Sequence, residues 1–437
     1  MTALETALRG IVGSEHLLSE PAATTWSVDG RSPRWVAAPG TEEEVSGLLP
    51  LATAERLDVI PVGGRTKLGW GNPPRGADLA IDLRRLDRLV EYEPGDLTVT
   101  LEAGVRLGAL ARVLERHGQF VPLDPPLASR ATVGGVIATN ASGPWRHRYG
   151  TVRDLLLGVT VVGADGTVTK GGGRVVKNVT GYDVPKLHVG ALGSLGIVTA
   201  ATLRVHPRPA AEATWVFGMP SPEAALEAAL RLLDSPLLLQ RLELVDGPTL
   251  TRLGVGCPHP AGLAVGIGSV PEAVRAQGEA VHAVCREGGG AALGLAGTDA
   301  AAFWAGVSDA TLPEEPERSL TLRVGLLGTD LAKGFRLLES ATHERGLALA
   351  ATATLGVGTL RARLAGEGLA DERLVARLRE AVAGLGGALV VEHAPAALKP
   401  RLDVWGDVGP AFGVMRRLKA EFDPLGLLNP GRFVGRL

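Results

Sequence analysis

The chain has 437 residues, room for two to three domains and a large core. Hydrophobic residues are 45% and charged residues 21%, and 45 Lys and Arg against 47 Asp and Glu give a net charge of −2. No basic field recruits nucleic acid or an anionic membrane, and two cysteines, Cys257 and Cys285, build neither a disulfide framework nor a four-cysteine iron–sulfur site.

Met1 to Pro21 has no cationic head and no apolar run, so no signal peptide is expected there. No apolar run reaches the roughly eighteen residues of a membrane span. Leu4 to Val12 reads as a short helix and Arg34 to Pro39 as a strand ended by proline. Thr41-Glu42-Glu43-Glu44 is a capping box that opens a helix to about Leu57. Asp58 to Val62 is a strand that runs into Gly63-Gly64. Short strands follow at Leu79–Leu83, Leu89–Glu93 and Leu97–Leu101, then a helix from Val105 to His117 with Leu107, Leu110, Ala111 and Leu114 at helical spacing. Thr132 to Ser142 is small and glycine-rich. Leu156–Val162 and Thr167–Lys170 flank the hairpin signal Ala164-Asp165-Gly166. Gly190, Gly193 and Gly196 lead into a strand Ile197–Val205.

His206 to Ala211 reads as a linker because of its prolines. Beyond it, helical patterns (Pro222–Leu233, Pro271–Glu287, Asp330–Arg345, Glu372–Leu385) alternate with strand patterns (Leu239–Leu244, Leu320–Leu326, Leu347–Leu355, Ala388–Glu392), and a last helix runs from Val408 to Phe422. The fold class expected is α+β: a two-part cofactor-binding domain, residues 1–208, followed by a cap domain, residues 212–437, with an antiparallel sheet.

The chain contains 59 glycines, and the telling ones form three loops. G-x-G-x-x-G after the first strand is absent, and Gly63-Gly64-Arg65-Thr66-Lys67 lacks Walker A spacing, which disfavours Rossmann and P-loop enzymes. Pro61-Val62-Gly63-Gly64-Arg65-Thr66 instead presents successive N–H groups to one point, an anion nest to which Thr66 adds a hydroxyl. Thr132 to Gly143 and Gly190 to Val198 are the other two loops. Paired glycines let backbone lie against a flat ring or a pyrophosphate.

These motifs, in order, resemble the FAD-binding domain of the p-cresol methylhydroxylase and vanillyl-alcohol oxidase superfamily. They are Pro61-x-Gly-Gly-x-Thr66, Glu102-Ala103-Gly104-Val105, Leu123-Asp124-Pro125, Thr132-Val133-Gly134-Gly135, Tyr149-Gly150-x-x-Arg153-Asp154, Lys177-Asn178-x-x-Gly181-Tyr182-Asp183 and Gly193-x-x-Gly196. Phe422-Asp423-Pro424 and Leu428-Asn429-Pro430-Gly431-Arg432-Phe433 resemble the tail of FAD-linked oxidases acting on 2-hydroxy acids. Ser142-Gly143-Pro144 with Arg153-Asp154-x-x-Leu157-Gly158-Val159 is most similar to E-type FAD-binding subunits of glycolate oxidases.

The resemblance implies a cofactor cradle. Val62 to Thr66 would hold the pyrophosphate. Thr132, Gly134, Gly135, Ile137, Ala138, Asn140, Ser142 and Gly143 would line the phosphates, ribityl chain and ring, and Gly193, Gly196, Ile197 and Val198 the adenine end. Pro61, Asp124, Pro125, Tyr149 and Asn429 belong to the same motifs. Covalent members carry His after the Gly-Gly pair; here that position is Arg65, so FAD is expected to be non-covalent.

Oxidation of a 2-hydroxy acid needs a cation for the carboxylate and a group to take the hydroxyl proton. Catalytic relatives have a metal-type set, His-x-Gly-Asp-Gly-x-x-His plus a Glu-His pair. Here Leu355-Gly356-Val357-Gly358-Thr359-Leu360 contains no His, while Glu392-His393 remains, so no metal site is expected. His393 is the candidate proton acceptor; Lys399 and Arg432 are candidate carboxylate or flavin partners, as is Arg401.

The function implied is an FAD-binding subunit of a glycolate or D-2-hydroxy-acid dehydrogenase complex. Its partners would be the small hydroxy acid, a second FAD subunit and an iron–sulfur subunit. It would be cytoplasmic, or peripheral to the inner membrane through partners. A stand-alone FAD-dependent oxidoreductase using His393, and an FAD-binding assembly subunit without chemistry of its own, are the alternatives.

Overall fold

The computed structural model describes residues 2–174, 181–288, 291–369 and 371–437. Lys177-Asn178 of the expected motif lies outside them. Thr41 Oγ1 accepts from the Glu44 N–H at 3.2 Å and the Glu44 carboxylate accepts from Gly40 N–H at 2.7 Å, which opens the helix Glu42–Ala54. Val45, Leu48, Leu49 and Ala52 form its buried face. They cover a four-stranded sheet in the order Leu17–Ser19, Trp35–Ala37, Leu79–Asp82, Val59–Val62, of which the last three run parallel.

A second, antiparallel sheet has the order Leu89–Glu93, Thr98–Glu102, Ile197–Arg204, Leu156–Val162, Val168–Gly172. The expected hairpin closes it, with Val162 opposite Val168. The helices Leu107–Glu115 and Val133–Thr139 share its core through Leu110, Leu114, Val133, Val136 and Ile137. The helix Val133–Thr139 falls where the sequence reads only as small and glycine-rich. Part of the expected linker is ordered as the strand His206–Pro207, paired with Gln119–Phe120.

The cap holds one antiparallel sheet of eight strands. Their order is Ala291–Leu295, Ala211–Met219, Ala261–Ser269, Leu239–Asp246, Ala348–Thr354, Thr359–Ala365, Ser319–Gly325, Ala388–His393. The helices Pro222–Leu233, Pro271–Glu287, Leu331–His343 and Glu372–Gly384 pack on it around Phe217 and Phe335. The helix Gly297–Asp309 joins a separate cluster in which Phe303, Trp304 and Val307 meet Val216, Val245 and Ala264.

The tail bridges the two domains. After the helix Phe412–Phe422 the chain returns to the first domain. Leu428 enters the core beneath the four-stranded sheet, and Asn429 N–H donates to the Val59 carbonyl at 2.7 Å. The buried Lys419 ammonium donates to Asp423 at 2.6 Å and to the carbonyls of Ser194 and Leu428, so the tail staples the strand Val59–Val62 to the loop that ends in Gly196.

Candidate functional site: a glycine-lined cleft facing an arginine cluster

Gly63 and Gly64 leave the strand Val59–Val62 and pack onto the start of the helix Val133–Thr139. Thr132 Oγ1 accepts from both Gly135 N–H and Gly64 N–H, each at 3.3 Å. A Cβ on Gly63 would run into that hydroxyl, and one on Gly64 into the Arg130 carbonyl. Glycine is therefore dictated by the contact between loop and helix cap as well as by any ligand.

Two adjoining clefts open over this contact. Pro61, Val62, Gly63, Thr132, Gly134, Gly135, Ala138, Gly193, Gly196, Ile197 and Val198 line the first, beside Leu192 and His188. Gly64, Arg65, Thr66, Asn429 and Arg432 line the second with Lys67, Leu68 and Thr139. The glycine loops expected to cradle one ligand are thus brought together. Asn140 ends the helix in the left-handed conformation, φ 49°. Its Oδ1 and the Ser142 Oγ are buried with no protein partner. The Asn140 oxygen calls for a donor such as a ligand hydroxyl or ring N–H, and the Ser142 hydroxyl can donate to a ligand oxygen or accept from its hydroxyl, so these residues fit FAD. Burial pulls His188 down to a pKa of about 4, and its imidazole is neutral.

Other expected site residues sit elsewhere. Ile137 faces the core and is 0% exposed. Tyr149 belongs to an aromatic cluster with Phe120, Trp145 and His206, its hydroxyl 3.4 Å from Gln240. Asp124 accepts from Trp145 N–H, and Asp124 and Pro125 line a separate, larger cavity. Gly143 is wedged between the Asp124 carbonyl and Ser308 of the cap. Arg65 does line the second cleft, but its guanidinium lies over Trp26, 4.7 Å from the ring centroid, and donates to the Thr25 carbonyl.

The three expected catalytic residues are engaged in holding the fold. Lys399 is 3% exposed, pairs with Asp29 at 2.6 Å and donates to the Gly69 carbonyl, clasping cap to first domain. Arg432 is equally buried, and its guanidinium donates to the carbonyls of Leu68 and Trp70 and to Asn429. His393 Nε2 lies 2.8 Å from the Pro316 carbonyl, and the ring lines neither cleft. Its geometry is that of a strand-end anchor.

Glu392, one residue earlier, does face charge. The register slips between Thr321↔His393 and Leu322↔Val391, leaving Glu392 in a bulge. Arg323 Nε lies 3.0 Å and Arg361 Nε 3.9 Å from its carboxylate. Thr354 and Arg361 flank Leu355 to Leu360, the segment that the resemblance sets against the relatives' metal-type stretch. A hydroxyl, a guanidinium and a carboxylate already paired with arginine do not fit a divalent ion. Among the described residues, no group of three or more His, Cys, Asp or Glu is placed to hold one.

Sequence reading assigns no role to Glu243 and Lys67, and takes Arg146-His147-Arg148 as a basic run that meets solvent, FAD phosphates or a partner subunit. Arg146 donates to Thr359 Oγ1 at 3.3 Å. Glu243 is buried, with Oε1 unpartnered, in a small cavity shared with Gly143, Thr354 and Arg361. Burial raises its pKa to about 8, against the pull of the Thr354 hydrogen bond and of Arg361. Lys67 donates to the Pro126 carbonyl at 2.7 Å, and burial lowers its pKa to about 8. Its place directly after Gly-Gly-x-Thr was the one signal available.

A glycine-lined cleft in the first domain and an eight-stranded cap make up a two-domain architecture suited to FAD. A family model described as "FAD binding domain" matches residues 33–172, and one described as "FAD linked oxidases, C-terminal domain" matches residues 208–433. The chain belongs to the FAD-linked oxidases that act on CH–OH groups. It is 30% identical to a D-lactate dehydrogenase of Archaeoglobus fulgidus, over 92% of this chain and 91% of that one. It is 27% identical to the glycolate oxidase subunit GlcD of Bacillus subtilis (92% and 89%) and 28% identical to a D-2-hydroxyglutarate dehydrogenase of Xanthomonas citri pv. viticola (98% and 96%). The fold is shared with p-cresol methylhydroxylase with substrate bound, at 15% identity and TM-score 0.77, covering 98% of this chain and 96% of that one. It is also shared with 4-ethylphenol oxidase from Gulosibacter chungangensis, at 17% identity and TM-score 0.76, with the same coverage.

Proposed function

We propose that this chain is the FAD-bearing subunit of a complex that oxidises a small 2-hydroxy acid, glycolate or a D-2-hydroxy acid, to the 2-oxo acid. One observation carries the reading: the glycine loops line two adjoining clefts, while Glu392, of the Glu-His pair that the resemblance ties to a metal-type set, is already paired with Arg323 and Arg361. When bound, FAD accepts the two electrons of the alcohol as a hydride. The loop Val62 to Thr66 would hold the pyrophosphate, Asn140 and Ser142 the polar groups toward the ring, and Gly193 to Val198 the adenine end. Arg65 stands where covalent members carry His, which supports dissociable FAD. Cys257 and Cys285 are too few for an iron–sulfur cluster, so electrons would leave through a second FAD subunit and an iron–sulfur subunit. Among the described residues no helix is long and apolar enough to cross a membrane, and a cytoplasmic location, or a peripheral one through partners, is part of the proposal.

A second reading, an oxidoreductase complete in one chain, draws on the cations. Arg146, Arg323 and Arg361 exceed the single charge of Glu392 and could hold a substrate carboxylate. The test is a visible spectrum of the purified FAD-loaded chain, recorded anaerobically before and after glycolate or D-lactate. Flavin bands that persist, with turnover appearing on addition of partner subunits, are expected. Bleaching of the isolated chain would overturn the subunit reading in favour of the second.

A further inference from the structure

A further cavity lies outside the FAD cleft, between the helix Leu107–Glu115 of the first domain and the helix Gly297–Asp309 of the cap. It has two adjoining lobes of about 410 and 350 Å³ that share Trp145, Arg208, Arg241, Ala301 and Trp304 as walls. The first lobe is apolar, floored by Leu107, Leu110, Leu114 and Phe120. The second is mixed, with Arg208, Glu212, Thr214 and Arg241 set among alanines and indoles.

Arg241 is the unusual residue. Its guanidinium is held between two indoles, 3.8 Å from the Trp145 centroid and 4.9 Å from that of Trp304. Its Nε is buried with no hydrogen-bond partner. Arg208 lies over Phe120 at 5.5 Å, and no salt bridge within 4.0 Å is found for either arginine among the described residues. The acids on the walls are occupied or peripheral. Asp124 accepts from Trp145 N–H, Asp309 accepts from Leu127 N–H at 2.7 Å, and Glu212 is exposed in the second lobe. Aromatic stacking fixes the orientation of the guanidinium and leaves its hydrogen-bonding edge free for a planar acceptor. An apolar chamber with such a fork at its mouth is matched by a molecule with an apolar body and one planar anionic head. The three acids disfavour a dianion.

We infer that this cavity is a second ligand site, which takes a monocarboxylate with an apolar chain or ring, the body in the Leu107–Leu114 lobe and the carboxylate on Arg241 and Arg208. The site is independent of the hydroxy-acid chemistry, and its occupant need not be a substrate.

The test is calorimetric titration of the FAD-loaded chain with decanoate, and with decanol as the uncharged comparison. Saturable one-to-one binding of decanoate is expected, with decanol weaker by about tenfold or more, the value of one charge-assisted hydrogen bond. Arg241→Met should weaken decanoate by a similar factor. Ala301→Trp, at an exposed helix position on the shared wall, should abolish binding by filling the junction while FAD content stays unchanged. No saturable binding, full binding in Ala301→Trp, or release of FAD by decanoate would each overturn the proposal, the last by making the cavity part of the cofactor site.

Discussion

Arg323 and Arg361 stand directly opposite each other on neighbouring antiparallel strands, and both turn to Glu392. Like charges in a cross-strand pair repel. The buried carboxylate between them makes the pair tolerable. Glu392→Gln should therefore cost about 2–4 kcal/mol in urea unfolding, because it leaves guanidinium charge uncompensated at a partly desolvated place. Arg361→Met added to Glu392→Gln should recover part of that loss, since it removes the repulsion along with the attraction. A double-mutant cycle that is simply additive would show that the three groups do not act together.

The two central glycines should behave differently. A Cβ on Gly135 meets only the Thr132 hydroxyl, at 3.1 Å, and otherwise has free space beside the clefts that this residue lines. Gly135→Val should thus fold and lose FAD, because its methyls occupy ligand space. Gly64→Val meets the Arg130 carbonyl and should lose both FAD and thermal stability. Flavin absorbance per protein, with a melting curve for each variant, separates them. Full FAD in Gly135→Val would move the ligand away from this helix.

Glu243 makes stability depend on pH. Its carboxyl is raised by burial from 4.5 to about 8 in the folded chain. Between those values the folded state holds a proton that the unfolded state has released, so stability is greatest at acidic pH and is lost as pH rises toward 8, by at most about 1.4 kcal/mol per pH unit. Urea midpoints at about pH 5.5 and 8 should differ in that sense, and Glu243→Gln should flatten the difference. An unchanged slope in the variant would mean that the carboxyl is ionised, held by Arg361.

Local signals carried much of this fold, because its punctuation is chemical. Thr41 caps a helix, proline starts the helices Pro222–Leu233 and Pro271–Glu287, and the glycine pairs mark where backbone meets backbone. Ala261–Ser269 was not legible. Leu263, Val265 and Ile267 do alternate on one buried face, but Gly262, Ala264, Gly266 and Gly268 fill the other, and so many small residues hide the period of two. The cofactor cleft was legible because glycine at a close approach is a sequence-level demand. The arginine cluster was not: Arg146, Arg323, Arg361 and Glu392 come from four separated segments, and a bulge aims the last of them. Lys399 and Arg432 look free in a sequence; Asp29 and the carbonyls of Leu68 and Trp70, hundreds of residues away, occupy them.

His393 closes the strand Ala388–His393 with its Nε2 on the Pro316 carbonyl, and burial keeps its pKa below the usual histidine value. The ring is therefore neutral at physiological pH and donates to that carbonyl. His393→Ala should leave FAD bound and cost about 1 kcal/mol, the value of one neutral hydrogen bond. The electron-accepting behaviour of the flavin should not change with pH between the variant and the parent. FAD content, a urea unfolding curve and turnover of glycolate with the partner subunits present check all three points on one preparation. Loss of that turnover in a variant that keeps its FAD and its stability would return His393 to the proton-acceptor role, through a cap movement that brings the strand end to the cleft.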